Sequence, residues 1–350
     1  MRKAFEMLGE QIAAGSRRVL ELPMPKLNSH SQLGMPVHII HGRKPGPVLF
    51  LSAAIHGDEL NGIDIIRRVL AAKVLSRLRG TLIAVPVVNV YGLIQESRYL
   101  PDRRDLNRSF PGSDHGSLAA RLADRFMQEI VQRCSHGIDL HTGALHRNNL
   151  PQIRANLDNP ETRQLAHCFG VPVLLNSLLR DGSLRQAACE RGVPILLYEA
   201  GEALRFDELA IRAGVSGIFN VMRELAMLPS PHGRARIKSE PFIARSSKWV
   251  RAPDSGMLRT RVSLGASVAV GDLLGYVDDP SSGGREEIRA EFAGVVIGRL
   301  ELPLVHEGDA IFHIARYKEE ISEVSEQVES FQANLLGPDN PATNRGTGLT

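Results

Sequence analysis

The chain has 350 residues, of which 43% are hydrophobic and 23% charged, the balance of a soluble globular protein with room for one large domain and a smaller one. A net charge of +3 spread over 42 basic and 39 acidic residues argues against nucleic-acid or membrane binding. With no apolar run of secretory or membrane-spanning character, and with Cys134, Cys168 and Cys189 reading as buried free thiols, a cytoplasmic, reducing location is expected.

Arg17 to Leu22 and Met35 to Ile40 read as two strands that lead into a third. His38 and His41 stand three apart in a strand-like run, so they face opposite sides and are read as non-ligands. The segment PVLFLSAAIHGDELNGIDIIRRVL, Pro47 to Leu70, divides in two. Val48 to Ile55 has the apolar continuity of a strand buried on both faces, and Leu60, Ile63, Ile66, Val69 and Leu70 recur at helical spacing. Between them lies His56-Gly57-Asp58-Glu59, at the carboxyl edge of a sheet, where open α/β folds keep their sites. His56 and Glu59 offer an imidazole nitrogen and a carboxylate oxygen within one turn, two ligands suited to zinc. The plainer alternative is a solvated turn in which Asp58 caps the helix.

Thr81 to Val88 is a further buried strand, and Pro86 within it suggests an irregular or edge position. The polar, arginine-dense stretch from Ser97 to Gly112 reads as an ordered loop, either solvated or able to grip a carboxylate bidentately. A helix from Ser117 to Gln132 presents Leu118, Leu122, Phe126 and Ile130 on one face. Gly137 to Gly143 is a strand with Asp139 and His141 on the same side. After an HxxE turn, His141 is the natural third donor, and a His, Glu, His set with one position open is that of a catalytic zinc. Val171 to Leu175 and Val193 to Tyr198 are buried strands, the second running into Glu199-Ala200-Gly201-Glu202. Glu199, at the strand end, is favoured as a general base and Glu202 as a helix cap.

Past Pro231 the pattern turns to short β runs separated by Gly-Asp turns, from Trp249 to Ile314, with a loose internal repeat. Tyr317, Ile321, Val324, Val328, Phe331 and Leu335 then form the apolar seam of a helix, expected to dock on its own domain. Gly337 to Thr350 is polar and is expected to be a disordered tail.

Four boxes in order, AxHGDExxG at Ala54 to Gly62, DLNR at Asp105 to Arg108, DLH ending at His141 and YEAG at Tyr198 to Gly201, resemble the succinylglutamate desuccinylase/aspartoacylase family, relatives of the zinc carboxypeptidases. The resemblance covers roughly Val37 to Leu228. It implies an α/β domain over 1–232 built on a three-layer mixed sheet of zinc-carboxypeptidase type. A smaller all-β module over 233–315 would resemble the barrel-sandwich fold of biotinyl and lipoyl domains, followed by a helix over 316–336 and a tail over 337–350. No lysine falls in its presumed hairpin, Asp278 to Ile288, so a covalent cofactor is not expected.

The resemblance also implies one Zn2+ per chain on His56, Glu59 and His141, with Glu199 as general base and Asp105 as a partner of His56. Asn107 and Arg108 would hold a substrate carboxylate, and Arg98 would polarise the scissile carbonyl. The register around Arg98 is offset from the family pattern, so Arg103 and Arg104 stay open for that role. The reaction implied is hydrolysis of the amide bond of a small N-acyl amino acid. The alternatives are a metallocarboxypeptidase acting on a C-terminal residue and a non-catalytic binding or scaffold protein with a relic site. The partner is then a small-molecule substrate rather than nucleic acid or a membrane, and a homo-oligomer is left open.

Overall fold

Period-two burial of apolar side chains sets the strands, and the strands set the layers. The computed structural model describes residues 2–177, 179–230, 241–244, 246–316, 328–333 and 335. A small hairpin, β1 (Phe5–Met7) and β2 (Glu10–Ile12), precedes the antiparallel pair β3 (Ser16–Pro23) and β4 (Gly34–His41). Next come β5 (Lys44–Ala53), helix α1 (Asn61–Ala71) and β6 (Arg79–Val85), a parallel β-α-β unit. Then follow α2 (Val90–Ile94), α3 (Leu118–Glu129), β7 (His136–Gly143), β8 (Arg147–Ala155), α4 (Pro160–Phe169), β9 (Val173–Asn176), α5 (Leu184–Cys189), β10 (Ile195–Glu202) and α6 (Glu208–Glu224).

In space the strands run β8-β10-β7-β5-β6-β4-β3, with β10, β7, β5 and β6 parallel, β4 and β3 antiparallel to their neighbours, and β8 antiparallel to β10 but parallel to β9. Along β5, Leu49, Leu51 and Ala53 enter the core shared with α1, α4 and α6, whereas Phe50 enters the opposite core with α3 and α5. This is the expected three-layer mixed α/β architecture, and it places the carboxyl ends of β5, β7 and β10 side by side.

Two expectations fail here for identifiable reasons. Strand β6 lies between β5 and β4, not at an edge, because it stops at Val85 and leaves Pro86 just outside the ladder. Only Cys134 is a fully buried thiol, whereas Cys168 is half-buried and Cys189, the last residue of α5, is exposed.

The remaining strands are β11 (Phe242–Ala244), β12 (Ser246–Arg251), β13 (Gly256–Thr260), β14 (Ser267–Val268), β15 (Leu273–Asp278), β16 (Arg285–Arg289), β17 (Gly294–Leu300), β18 (Leu304–Val305) and β19 (Ala310–Arg316). A four-stranded sheet, β16-β15-β13-β18, shares with β12, β17 and β19 a core of Val250, Leu258, Leu274, Val277, Val296 and Phe312. What periodicity does not reveal is the junction. Strand β17 pairs antiparallel with β8, setting Gly298 opposite Asn149, so β17, β19 and β12 extend the central sheet.

The first half of the expected C-terminal seam, Tyr317 to Val324, lies outside the described residues, as does the expected tail over 337–350. Of the second half, Val328 and Leu335 are buried and Phe331 packs against the α1/α6 core. Stopping the chain ahead of Val328 should therefore lower the melting temperature by several degrees, since each buried aliphatic or aromatic side chain contributes about 1.5–3 kcal/mol. An unchanged thermal melt after that truncation would show the seam to be dispensable.

Candidate active site

The turn between β5 and α1 is held in an unusual shape. Ala54, one residue beyond the strand, has φ 49°, and Gly57 is packed so tightly that a Cβ there would lie 1.9 Å from the carbonyl carbon of Gly92. The turn aims His56 and Glu59 inward, where they are 3% and 2% exposed. Asp58 does not cap α1, whose first flanking residue is Leu60 with no side-chain cap. Glu202 does not cap α6 either. That helix is capped by Asp207, and the Glu202 carboxylate instead meets His146 Nδ1 at 3.0 Å and Arg205 Nε at 3.2 Å.

His141, from β7, completes a buried cluster with His56 and Glu59. Ligand atoms of the three lie within 4.8 Å of one another, and among the described residues this is the group able to hold a metal ion. Both imidazoles turn Nδ1 to the Glu59 carboxylate, at 2.7 Å in each case. Their outer nitrogens are tied to carboxylates: His56 Nε2 to Asp105 at 3.1 Å and His141 Nε2 to Asp139 at 2.8 Å. Ser52 Oγ in turn donates to Asp139 at 2.7 Å. Burial opposes charge on Glu59, but His56 and His141 outweigh it and hold the carboxyl far below its usual range. Burial likewise opposes protonation of His141, and Asp139 and Glu59 raise its pKa well above that of a free imidazole. For His56 burial is again outweighed, by Glu59 and Asp105, and the pKa is raised. Two nitrogen donors and one oxygen donor, each imidazole oriented by a carboxylate behind it, fit zinc.

Of the three candidate arginines, Arg98 is the one brought to this cluster. Its guanidinium donates to Asp105 at 2.9 Å, and its Nη1 lies 3.2 Å from His56 Nδ1 and 3.5 Å from Glu59. Arg103 and Arg104 are exposed, and the Arg104 guanidinium is 3.9 Å from Asp102. Asn107 is buried, with its Oδ1 accepting from the backbone N–H of Leu184 at 2.9 Å, so it ties the DLNR loop to the start of α5. Arg108 is on the exposed side of the same loop. His41 is far from the cluster in role, bonded to Thr81 Oγ1 at 2.9 Å and to the Lys3 carbonyl at 3.0 Å.

Glu199 pairs in register with His141 across the parallel strands β10 and β7, so its side chain emerges on the same face as His141. It is not at the strand end as its sequence context suggests, because β10 runs on to Glu202 with a register shift after Glu199. Its Oε2 accepts from Arg154 Nε at 2.8 Å and from Asn149 Nδ2 at 3.2 Å. Around it the charge turns positive. Burial, then Arg154, pulls Arg185 down to about 10, with Glu199 opposing and Arg180 adding. Burial also lowers Arg108; Asp105 opposes this, while Arg180 and Arg98 add to it.

Arg154, Arg180 and Arg185 escape a reading of the sequence. Arg154 lies on β8, RNNLPQIRA, whose polar residues and central Pro151 hide a strand, and nothing local links the other two to a site.

Comparison with known proteins gives the family to which the fold belongs. The N-alpha-acetyl-L-2,4-diaminobutyric acid deacetylase of Halomonas elongata is 29% identical over 317 residues, 86% of this chain and 92% of that protein. The product-bound structure of the ectoine utilization protein EutE (DoeB) from Ruegeria pomeroyi is 26% identical with a TM-score of 0.75, covering 85% of this chain and 95% of that one. A succinylglutamate desuccinylase/aspartoacylase structure from Rhodobacter sphaeroides, 23% identical, shares the fold with a TM-score of 0.77 over 86% of this chain and 96% of that one. The succinylglutamate desuccinylase/aspartoacylase catalytic domain matches residues 45–225, which contain the whole His56, Glu59, His141 and Glu199 constellation, and the chain belongs to that family.

Proposed function

We propose that the protein is a zinc-dependent deacylase that hydrolyses the amide bond of a small N-acyl amino acid. The observation that carries this reading is the convergence of His56, Glu59 and His141 beside Glu199 on the neighbouring strand. The Halomonas elongata relative, a deacetylase of an N-acetylated diamino acid, supports an acetyl group and a compact amino-acid portion.

His56, Glu59 and His141 would hold one zinc ion, with Asp105 and Asp139 fixing the two imidazoles. Bound there, zinc supplies Lewis acidity, lowering the pKa of a water and polarising the amide carbonyl. Glu199 takes the proton of the attacking water and passes it to the leaving amine, which requires a carboxylate with one oxygen free. Arg98, with its guanidinium against the cluster, donates to the oxygen that gains negative charge as the carbonyl is attacked. Arg108, with Arg180 and Arg98 nearby, supplies the positive field for the substrate carboxylate, and Asn107 contributes its Nδ2.

The direct test is metal analysis of the purified protein together with release of amino acid from a panel of N-acyl amino acids and short peptides. One zinc per chain and turnover of an N-acyl amino acid are expected, and hydrolysis of peptides alone would favour a carboxypeptidase.

The carboxylate requirement has its own test. Arg108→Lys should lower kcat/KM ~10- to 100-fold, because a planar fork is replaced by a point charge and a charge-assisted contact is worth on the order of 1.5–3 kcal/mol. The carboxamide form of the best substrate should lose a similar factor on the wild type and little more on the variant. Additive losses would show that Arg108 does not read the carboxylate.

A further inference from the structure

The paired contacts on Glu199 point to a role for β8 that the family boxes do not include. Arg154 Nε and Asn149 Nδ2 both donate to Oε2, at 2.8 and 3.2 Å, and no described contact reaches Oε1. The two donors come from either side of an irregularity in the ladder. Leu197 faces Arg154 and Glu199 faces Gln152, but Gly201 faces Asn149, where an unbroken register would set Leu150. The extra residue falls at Leu150-Pro151, and Pro151 lacks the N–H a regular ladder would use there. Asn149 is held in turn from the far side. It is opposite Gly298 of β17, where any Cβ would lie 2.8 Å from its Oδ1, so the C-terminal β strands set its position.

Arg154 is half-buried, and its ion-pair partner is Glu199, at 2.8 Å. Its placement is accounted for by what it does to Glu199. We propose that Arg154, seconded by Asn149, is a positioning residue that clamps Oε2 of Glu199 and leaves Oε1 as the oxygen that exchanges the proton with the attacking water. This rests on Glu199 being the general base. It makes β8, and through Gly298 the C-terminal β strands, part of the catalytic apparatus without any direct contact with substrate.

The test uses the zinc-loaded full chain and compares Arg154→Gln, Arg154→Lys, Asn149→Ala and Glu199→Gln, singly and with Arg154→Gln combined with Glu199→Gln. Arg154→Gln should lower kcat ~10- to 100-fold with KM changed less than about threefold, since only the proton-transfer geometry is disturbed. Arg154→Lys should recover part of the loss, Asn149→Ala should show a smaller loss of the same kind, and zinc content should stay at wild-type level throughout. In the Glu199→Gln background, Arg154→Gln should cost nothing more, because there is no base left to position. A full additional loss in the double variant, or a rise in KM with kcat unchanged, would overturn the proposal and make Arg154 a substrate-binding group. Should Arg154→Gln not fold, unchanged kcat in both Arg154→Lys and Asn149→Ala would overturn it equally. If Glu199→Gln is fully active, it is the assignment of the base that fails, and the clamp falls with it.

Discussion

Replacing His56 or His141 with alanine should strip zinc from the protein and with it the hydrolytic activity. Each substitution leaves two of three protein donors, too few to retain the ion through dialysis. It also leaves Glu59, 2% exposed, short of one of its two imidazole partners, so the metal-free variant should be less stable than the metal-free wild type. Asp139→Asn makes a graded control. It keeps all three ligands but removes the charge behind His141 Nε2, at 2.8 Å, and should weaken zinc binding by about 10- to 100-fold rather than abolish it. Zinc per chain measured after dialysis decides the matter, and full occupancy in both alanine variants would remove the cluster from consideration as a metal site.

Glu199→Gln should keep zinc and fold yet lose ~10²–10⁴ in kcat, the usual contribution of a positioned general base. The amide is nearly isosteric and can still meet Asn149, so the change removes proton acceptance with little change of packing. Glu202→Gln is the comparison. Glu202 lies three residues on, but its carboxylate is engaged by His146 and Arg205, and it should be mild. Reversed effects in a steady-state assay would mean that the wrong carboxylate of the YEAGE segment has been assigned.

Much of this protein is local in character, and for that reason its sequence alone was sufficient to recover it. The strand-turn-helix unit carrying His56 and Glu59 needs only an apolar run, a turn and a 3.6-residue period, all within 24 residues, Pro47 to Leu70. The shared face of Asp139 and His141 follows from the two-residue repeat of a strand, and their contact at 2.8 Å realises it. The β-rich grammar of the C-terminal third was equally readable from its Gly-Asp turns.

Strand register and long-range pairing were decided only by the tertiary structure, because they join residues that share no local pattern. Which arginine meets the cluster was one such choice. Arg98 reaches His56 across 42 positions, while Arg103, at φ 63°, and Arg104 turn outward on the same loop. The brace on Glu199 was another: Arg154 is 45 positions away on a strand whose polar, proline-containing sequence argues against being a strand at all. A polar strand is held there because its neighbours β9, β10 and β17 pair with its backbone and Glu199 takes up Arg154 and Asn149, and neither supply is visible until the sheet is assembled.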